Sequence, residues 1–120
     1  GNRQVAAREK VLRKRMKRAL RAKKSDYASL HEVRKAGNTL RYLLELFRPV
    51  LRVDHHRTLK RLTKIQKRFG ALNDVVVSEA LLQQNEYLFG DSGARDSALR
   101  WLKQERKRRL RAARKLLRDA

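Results

Sequence analysis

Two stripes of side chains run next to each other along residues 30–47. Apolar or small residues recur there at steps of three and four, which places them on one face of an α-helix. These residues are Leu30, Val33, Gly37, Leu40, Leu44 and Phe47. A polar and mostly cationic row repeats at the same steps, one residue later: His31, Arg34, Asn38, Arg41, Glu45 and Arg48. Because this row borders the buried face, it can line a groove between two helices.

The same rhythm predicts three further amphipathic helices, over residues 4–22, about 57–88 and about 94–118. The rhythm continues through Gly70, which predicts one long helix there with Gly70 as the place where it could kink. Gly37 lies in an apolar stripe, where glycine costs about 1 kcal/mol against alanine, so we expect another helix to approach it closely. Four such helices with short loops predict an all-α fold. The expected architecture is an antiparallel up-down four-helix bundle with long helices, a single unit over the whole 120-residue chain.

The helix that carries the two stripes has two candidate starts. Ser25 or Asp26 could cap it. Ser29 followed by Glu32 instead fits a capping box, and we favour this later start slightly. The helix should end near Arg48, because the proline that follows disfavours helical geometry in the residue before it.

The composition excludes several classes of protein. The 120-residue chain has no cysteine and only three histidines, with no cluster at ligand spacing, so we expect neither disulfides nor a metal site. No apolar run approaches the roughly 20 residues that a membrane-spanning helix needs. The basic N-terminal segment also lacks the apolar stretch of a signal peptide. We therefore expect a cytoplasmic protein without a cofactor.

The charge of the chain indicates its kind of partner. Thirty-three Lys and Arg residues stand against twelve acids, which gives a net charge of +21 and a pI near 11.5. Self-repulsion on this scale destabilises a compact monomer unless anions offset it. The acids are concentrated in residues 69–99, where five of them accompany a single basic residue, Arg95. The composition therefore predicts a polyanionic partner: nucleic acid, an anionic membrane surface or a phosphate polymer.

Two segments together resemble a known family. Residues 31–35 read His-Glu-Val-Arg-Lys and are followed at 40–47 by Leu-Arg-Tyr-Leu-Leu-Glu-Leu-Phe. Residues 62–74 contain a second pattern, which is defined by Gln66, Gly70 and Asp74. In this order and at this separation, the segments are similar to the signature helix and the third helix of CHAD domains, the conserved histidine α-helical domains.

The resemblance implies an all-helical domain that binds inorganic polyphosphate in a basic groove and is not itself catalytic. The residues expected to bind polyphosphate lie on the second and third predicted helices: His31, Arg34, Lys35, Asn38, Arg41, Lys60, Lys64 and Lys67. The family usually has Lys or Arg where this chain has Asn38 and Thr39, which weakens the expected phosphate contacts at mid-helix. The family domain is also longer, with two similar helical bundles, of which this chain resembles one, more like the C-terminal one. This implies either a missing second half-domain or a homodimer.

The physical chemistry of these residues agrees with the resemblance. Arg can grip phosphate oxygens at two points, and Lys acts as a mobile point charge. Rows on two neighbouring helices would bracket a chain of phosphates: Arg34, Lys35 and Arg41 on one, and Lys60, Lys64 and Lys67 on the other. An anion near the start of the second helix would also meet unpaired backbone N–H groups.

His31 has two interpretations. From the residues alone, an ordinary structural hydrogen bond in the first helical turn is favoured. The resemblance instead favours a phosphate ligand. An imidazole that contacts phosphate gains a proton, so affinity would then rise as the pH falls.

Three other functions compete with polyphosphate binding. Sequence-independent nucleic-acid binding needs little more than a high density of Lys and Arg, and it is the main alternative. An enzyme acting on phosphate anhydrides would need a metal-binding acidic cluster near the basic groove, whereas the acids lie mainly at the opposite end. A structural role is the third alternative, in which the exposed seam of a half-domain docks a partner.

Overall fold

The computed structural model describes residues 2–85, 87 and 90–118, and every regular element within them is helical. The α-helices are α1 (Asn2–Arg21), α2 (Tyr27–Phe47), α3 (His56–Gln84) and α4 (Ser92–Arg118). Helix α1 packs on α2, α2 on α3, and α3 on α4, and α1 also meets α4. The predicted all-α class with four long helices is confirmed, whereas their antiparallel up-down order stays a prediction.

The start of α2 differs from the preferred prediction. Asp26 is the capping residue, because its side chain accepts a hydrogen bond from the Ser29 backbone N–H at 3.2 Å. The hydroxyl of Ser29 in turn donates to the Asp26 carbonyl at 2.9 Å. Glu32 does not complete a capping box but lies 3.3 Å from Arg15 of α1 and 3.4 Å from Lys35. The prediction of a Ser29 cap was therefore wrong, and the earlier start was right.

The other helix boundaries lie close to the predicted ones. A short 3₁₀ turn (Arg48–Val50) ends α2 at the proline. Helix α3 runs through Gly70 as one element, as predicted, and ends at Gln84. The predicted end near residue 88 lies outside the described residues. Helix α4 begins earlier than predicted, because the side chain and the carbonyl of Asp91 accept backbone N–H groups of its first turn.

The main hydrophobic core joins all four helices. The predicted apolar stripe of α2 is buried from Leu30 to Leu44, and Val33 is completely inaccessible to solvent. A Cβ at Gly37 would lie 3.6 Å from Ile65 and 3.7 Å from Leu62 of α3. Helix α3 therefore packs directly on Gly37, as expected, although these are ordinary contact distances that an alanine would also satisfy.

A second, smaller cluster lies where α3 and α4 alone are in contact. Its buried members are Val75, Leu82 and Leu102, with Ala98 and Leu99 packed against them. Glu79 of α3 forms an ion pair with Arg106 of α4 at 3.0 Å next to this cluster. Glu79, one acid of the acidic stretch, therefore lies beside a cluster to which α3 and α4 contribute.

Candidate anion-binding surfaces

Arg41 joins the cationic row of α2 to α3. Its guanidinium donates a hydrogen bond to the side-chain oxygen of Gln66. Its Nε lies 3.7 Å from Glu45, and the guanidinium carbon lies 5.3 Å from the centre of the Tyr42 ring. Glu45, one turn along α2, is therefore the carboxylate paired with Arg41. These contacts fix Arg41 at the edge of the α2–α3 contact.

Arg34 lies two helical turns before Arg41, in a different environment. A Cβ on Gly70 would lie 3.7 Å from the Arg34 guanidinium, so the arginine rests directly against the bare backbone of α3. Arg34 is half-buried, and its Nε is buried without a hydrogen-bond acceptor. Among the described residues, no carboxylate forms an ion pair with it. Burying a cation without a partner is unfavourable, so this guanidinium has unused capacity for an anion.

A cleft of about 30 Å³ opens beside Arg34 between α2 and α3. We call it the α2–α3 cleft, and it is lined by Tyr27, Leu30, His31, Arg34, Phe69, Leu72, Asn73 and Val76. The cleft is about large enough for one or two water molecules. It brings together two predicted site residues, His31 and Arg34, with Asn73, which the sequence interpretation had not included.

The remaining predicted residues of α2 lie outside this cleft. Lys35 is exposed and lies 3.4 Å from Glu32, so part of its charge is already balanced. Asn38 is half-buried and makes no hydrogen bond within the part of the chain that is described. Of the predicted site residues on α2, Arg41 and Lys35 have polar partners within the part of the chain that is described.

The three predicted lysines of α3 are exposed, and two of them face α4. Lys64 and Lys67 line a second and larger cleft, of about 480 Å³. We call it the α3–α4 cleft, and its other residues are Arg68, Ala71, Arg108, Arg109 and Ala112. Lys60 is exposed and makes no polar contact with the described residues. Arg34 on one side and Lys64 and Lys67 on the other were expected to bracket one groove, and they line different clefts.

This separation follows from how α3 is rotated. Gln66 and Gly70 lie on the side of α3 that meets α2, next to its buried face. Lys64 lies on the opposite flank of the same helix, and Lys67 lies on its outer side, between that flank and Gly70. The row of α3 is therefore turned toward α4.

Two arginines cross the floor of the α3–α4 cleft in opposite directions. Arg68 of α3 donates to the Ala112 carbonyl of α4 at 3.0 Å. Arg109 of α4 donates to the Ala71 carbonyl of α3 at 2.8 Å. Each guanidinium is thereby tethered to a backbone carbonyl of the opposite helix. The small side chains of Ala71 and Ala112 leave the space between them open.

Glu105 is the carboxylate nearest to these cations. It accepts hydrogen bonds from Arg108 at 2.6 Å and from Arg109 at 3.1 Å. The hydrogen bond from Arg108 is the main reason that the pKa of Glu105 is lowered, and in return it raises the pKa of Arg108. The carboxylate therefore stays ionised and occupies donors that an anion in the cleft would use.

Sequence reasoning missed Arg68, Arg108 and Arg109. A signal for Arg68 was present, because it follows Lys64 by one helical turn. The residues of α4 carried no such signal, since its basic residues occur on nearly all sides of the helix.

The described residues contain neither a cluster that could bind a metal nor a helix that could span a membrane. Within 2–85, 87 and 90–118, no group of three His, Asp or Glu side chains could hold a metal ion. No helix in these ranges has an apolar stretch long enough to cross a bilayer. Asp74 of the second motif makes no ion pair with the described residues.

Comparison with known proteins supports the resemblance noted in the sequence. Residues 2–83 match the family model of the CHAD domain, a segment that contains α1, α2 and nearly all of α3. No curated protein and no solved structure matches the chain. Because the matched segment covers more than half of the sequence, the chain belongs to the CHAD domain family.

Proposed function

We propose that this chain binds inorganic polyphosphate and catalyses no reaction on it. The CHAD family is linked to polyphosphate binding in general, and this chain carries a net charge of +21. A phosphate polymer has repeating charge and no bases to be read, so its recognition needs rows of cationic donors more than a shaped pocket. Such rows border two clefts of this fold.

The observation that carries the proposal is the state of Arg34. Its guanidinium is half-buried, it rests against Gly70, and no acid among the described residues neutralises it. A phosphate oxygen at the mouth of the α2–α3 cleft would supply the missing acceptor. His31 lines the same cleft and could donate a second hydrogen bond to the same phosphate group.

The two basic rows can serve one ligand although they line different clefts. Gly70 contacts Arg34, and the next residue, Ala71, lines the α3–α4 cleft. These two small residues form a low saddle on α3. A phosphate chain crossing this saddle would meet Arg34 on one side and Lys67 on the other. The proposed ligands on α2 and α3 remain those of the sequence interpretation: His31, Arg34, Lys35, Asn38, Arg41, Lys60, Lys64 and Lys67.

We also propose the antiparallel up-down order of the helices. Contacts between α3 and α4 join residues whose numbers rise on one helix and fall on the other: Arg68 with Ala112, Ala71 with Arg109, and Glu79 with Arg106. Contacts between α2 and α3 follow the same rule: Arg34 with Gly70, and Arg41 with Gln66. This order supports the saddle, because it sets the mid-points of α2, α3 and α4 side by side.

The proposal is tested by titration calorimetry with long-chain polyphosphate at two salt concentrations. The variant Arg34→Gln/Lys35→Ala removes two cations from α2 and keeps most of the side-chain volume at residue 34. The matched control, Lys10→Ala/Lys14→Ala, removes the same charge from exposed positions on α1. We expect the α2 variant to lose affinity by about 30-fold and the control by less than about threefold. Equal losses would contradict a site at α2.

A further inference from the structure

The α3–α4 cleft combines features that the polyphosphate proposal does not require. It holds five cationic side chains: Lys64, Lys67, Arg68, Arg108 and Arg109. Three of these residues are outside the set proposed above. Helix α4 also lies beyond residues 2–83, the segment that matches the family. The cleft must therefore be judged from its own geometry.

Two arginines of the cleft, Arg68 and Arg109, are held in position by hydrogen bonds before any ligand binds. The hydrogen bonds from Arg68 and Arg109 to backbone carbonyls of the opposite helix fix both guanidiniums at the floor. A guanidinium has five N–H donors, so each arginine keeps further donors after this contact. Donors that are already fixed lose little conformational entropy when an anion binds.

The five positive charges of the cleft suit a chain of linked phosphates better than one phosphate group. Lys64, Lys67 and Arg108 at the rim are exposed and can move, whereas the floor arginines are tethered to backbone carbonyls. One phosphate group carries at most about two negative charges, which would leave most of the five cations unneutralised. Several linked phosphates would neutralise them together. No aromatic side chain lines the cleft, so it offers no platform on which a nucleotide base could stack.

The carboxylate of Glu105 accepts hydrogen bonds from the same arginine N–H donors that an anion in the cleft would need. Its carboxylate oxygen holds Arg108 at 2.6 Å and Arg109 at 3.1 Å. An incoming phosphate must draw Arg108 away from this carboxylate or share it. Because Arg108 is mostly exposed, it can turn from Glu105 toward a ligand without disturbing the core.

We propose that the α3–α4 cleft is a distinct binding site for short condensed phosphates, and that Glu105 sets its affinity by competing for Arg108 and Arg109. The class of ligand rests on the proposed function, whereas the site and the role of Glu105 do not. The site would bind a triphosphate unit, either alone or as part of a longer chain that also reaches α2.

The test is titration calorimetry of the full chain with inorganic tripolyphosphate. Arg108→Ala should weaken binding by about tenfold, because it removes a charge-assisted hydrogen bond. Its control is Lys107→Ala, which removes the same charge from the neighbouring exposed residue that does not line the cleft. Equal effects of these two variants would overturn the proposal.

The role of Glu105 has its own pair of variants. Glu105→Gln should tighten tripolyphosphate binding by about fivefold, because it frees two arginines. Glu9→Gln on α1 removes an acid that also lies near an arginine, Arg13, and it changes the net charge equally. We expect less than a twofold effect from the control. If the two variants bind alike, Glu105 is not a competitor.

The location of the binding site is tested by NMR, and the class of ligand is tested by comparison with ATP. Amide NMR shifts on adding tripolyphosphate should fall in residues 64–71 and 105–112, and shifts confined to residues 27–41 would overturn the site. ATP, which presents a triphosphate with a base, should bind more weakly than tripolyphosphate, and tighter binding of ATP would overturn the inorganic assignment.

If the unmodified chain binds long-chain polyphosphate but Arg108→Ala and Glu105→Gln match their controls, only this inference fails. If it binds no polyphosphate, the proposed function fails.

Discussion

The guanidinium of Arg34 lies against Gly70, with Nη2 3.7 Å from the position that a Cβ would occupy on that glycine. This contact places on the backbone of α3 a half-buried cation of α2 that has no ion pair among the described residues. The space above Gly70 is the space that a bound phosphate would share with Arg34.

The contact predicts how substitutions at Gly70 should act. In Gly70→Ala the new methyl group would meet Arg34 at an ordinary contact distance, so polyphosphate affinity should stay within about twofold of the unmodified chain. Gly70→Leu should lower the affinity by about tenfold, because the longer side chain fills the saddle and displaces Arg34. Calorimetry with long-chain polyphosphate measures both variants.

The alanine variant serves as the control for the leucine variant, because both remove the same glycine from the helix. Circular dichroism should show both to be fully helical. If Gly70→Leu binds as tightly as Gly70→Ala, the phosphate chain does not cross α3 at this point.

A second prediction concerns the link between Arg41 and Gln66. Gln66→Ala should lower the free energy of unfolding by about 1–2 kcal/mol, because a partly buried guanidinium loses its acceptor. Urea denaturation measures the loss. Gln104→Ala is the matched control, since Gln104 is exposed on α4 and makes no polar contact with described residues. It should change stability by less than about 0.5 kcal/mol. Equal effects would mean that the Arg41–Gln66 contact adds nothing to stability.

The two hydrophobic clusters should differ in their stability. Leu40 is 1% exposed within the core that joins four helices, and Leu40→Ala should cost about 2–5 kcal/mol. Leu102 is 7% exposed in the smaller cluster, so Leu102→Ala should cost about 1–2 kcal/mol less. Urea denaturation compares the two variants.

Hydrogen exchange provides an independent check of this difference. Amides of residues 75–84 should exchange faster than those of 62–72, because local opening is easiest where few buried contacts hold a helix. The same rate in both halves of α3, or a larger cost for Leu102→Ala than for Leu40→Ala, would contradict this description of the fold.

The pKa of Glu105 predicts a dependence of stability on pH. This pKa is lowered in the folded chain, so the ionised carboxylate favours folding above its usual value of 4.5, and the effect is lost as the pH falls through the folded pKa. The Tm of Glu105→Gln should therefore lie below that of the unmodified chain near pH 7. The difference should shrink as the pH drops below about 4.5. A Tm difference that stays constant from pH 7 to pH 3 would contradict the hydrogen bond from Arg108.

Much of the fold could be predicted because it depends on the periodicity of single helices. The apolar stripe of α2 and the close approach at Gly37 follow directly from residue spacing, and both are present. The start of α2 could not be decided in this way, since Asp26 and Ser29 are both good capping residues. The choice depends on Glu32, which pairs with Arg15 of another helix.

The composition of the clefts could be predicted only in part. Spacing gives the face of each helix on which Lys64, Lys67 and Arg34 lie, but it does not give the rotation of one helix against another. In the folded chain, Gln66 and Gly70 of α3 meet α2, whereas Lys64 and Lys67 line the cleft with α4. Arg108 could not be predicted as a residue of the α3–α4 cleft. Basic residues occur on nearly all sides of α4, so their spacing does not single it out.

The central claim is that this basic surface selects a phosphate polymer over other polyanions. The most direct test measures displacement of fluorescent long-chain polyphosphate by unlabelled polyphosphate and by duplex DNA, at equal phosphate concentration and one fixed salt concentration. We predict that polyphosphate competes at least about tenfold better than DNA. Equal competition would contradict the claim and identify the chain as a general polyanion binder.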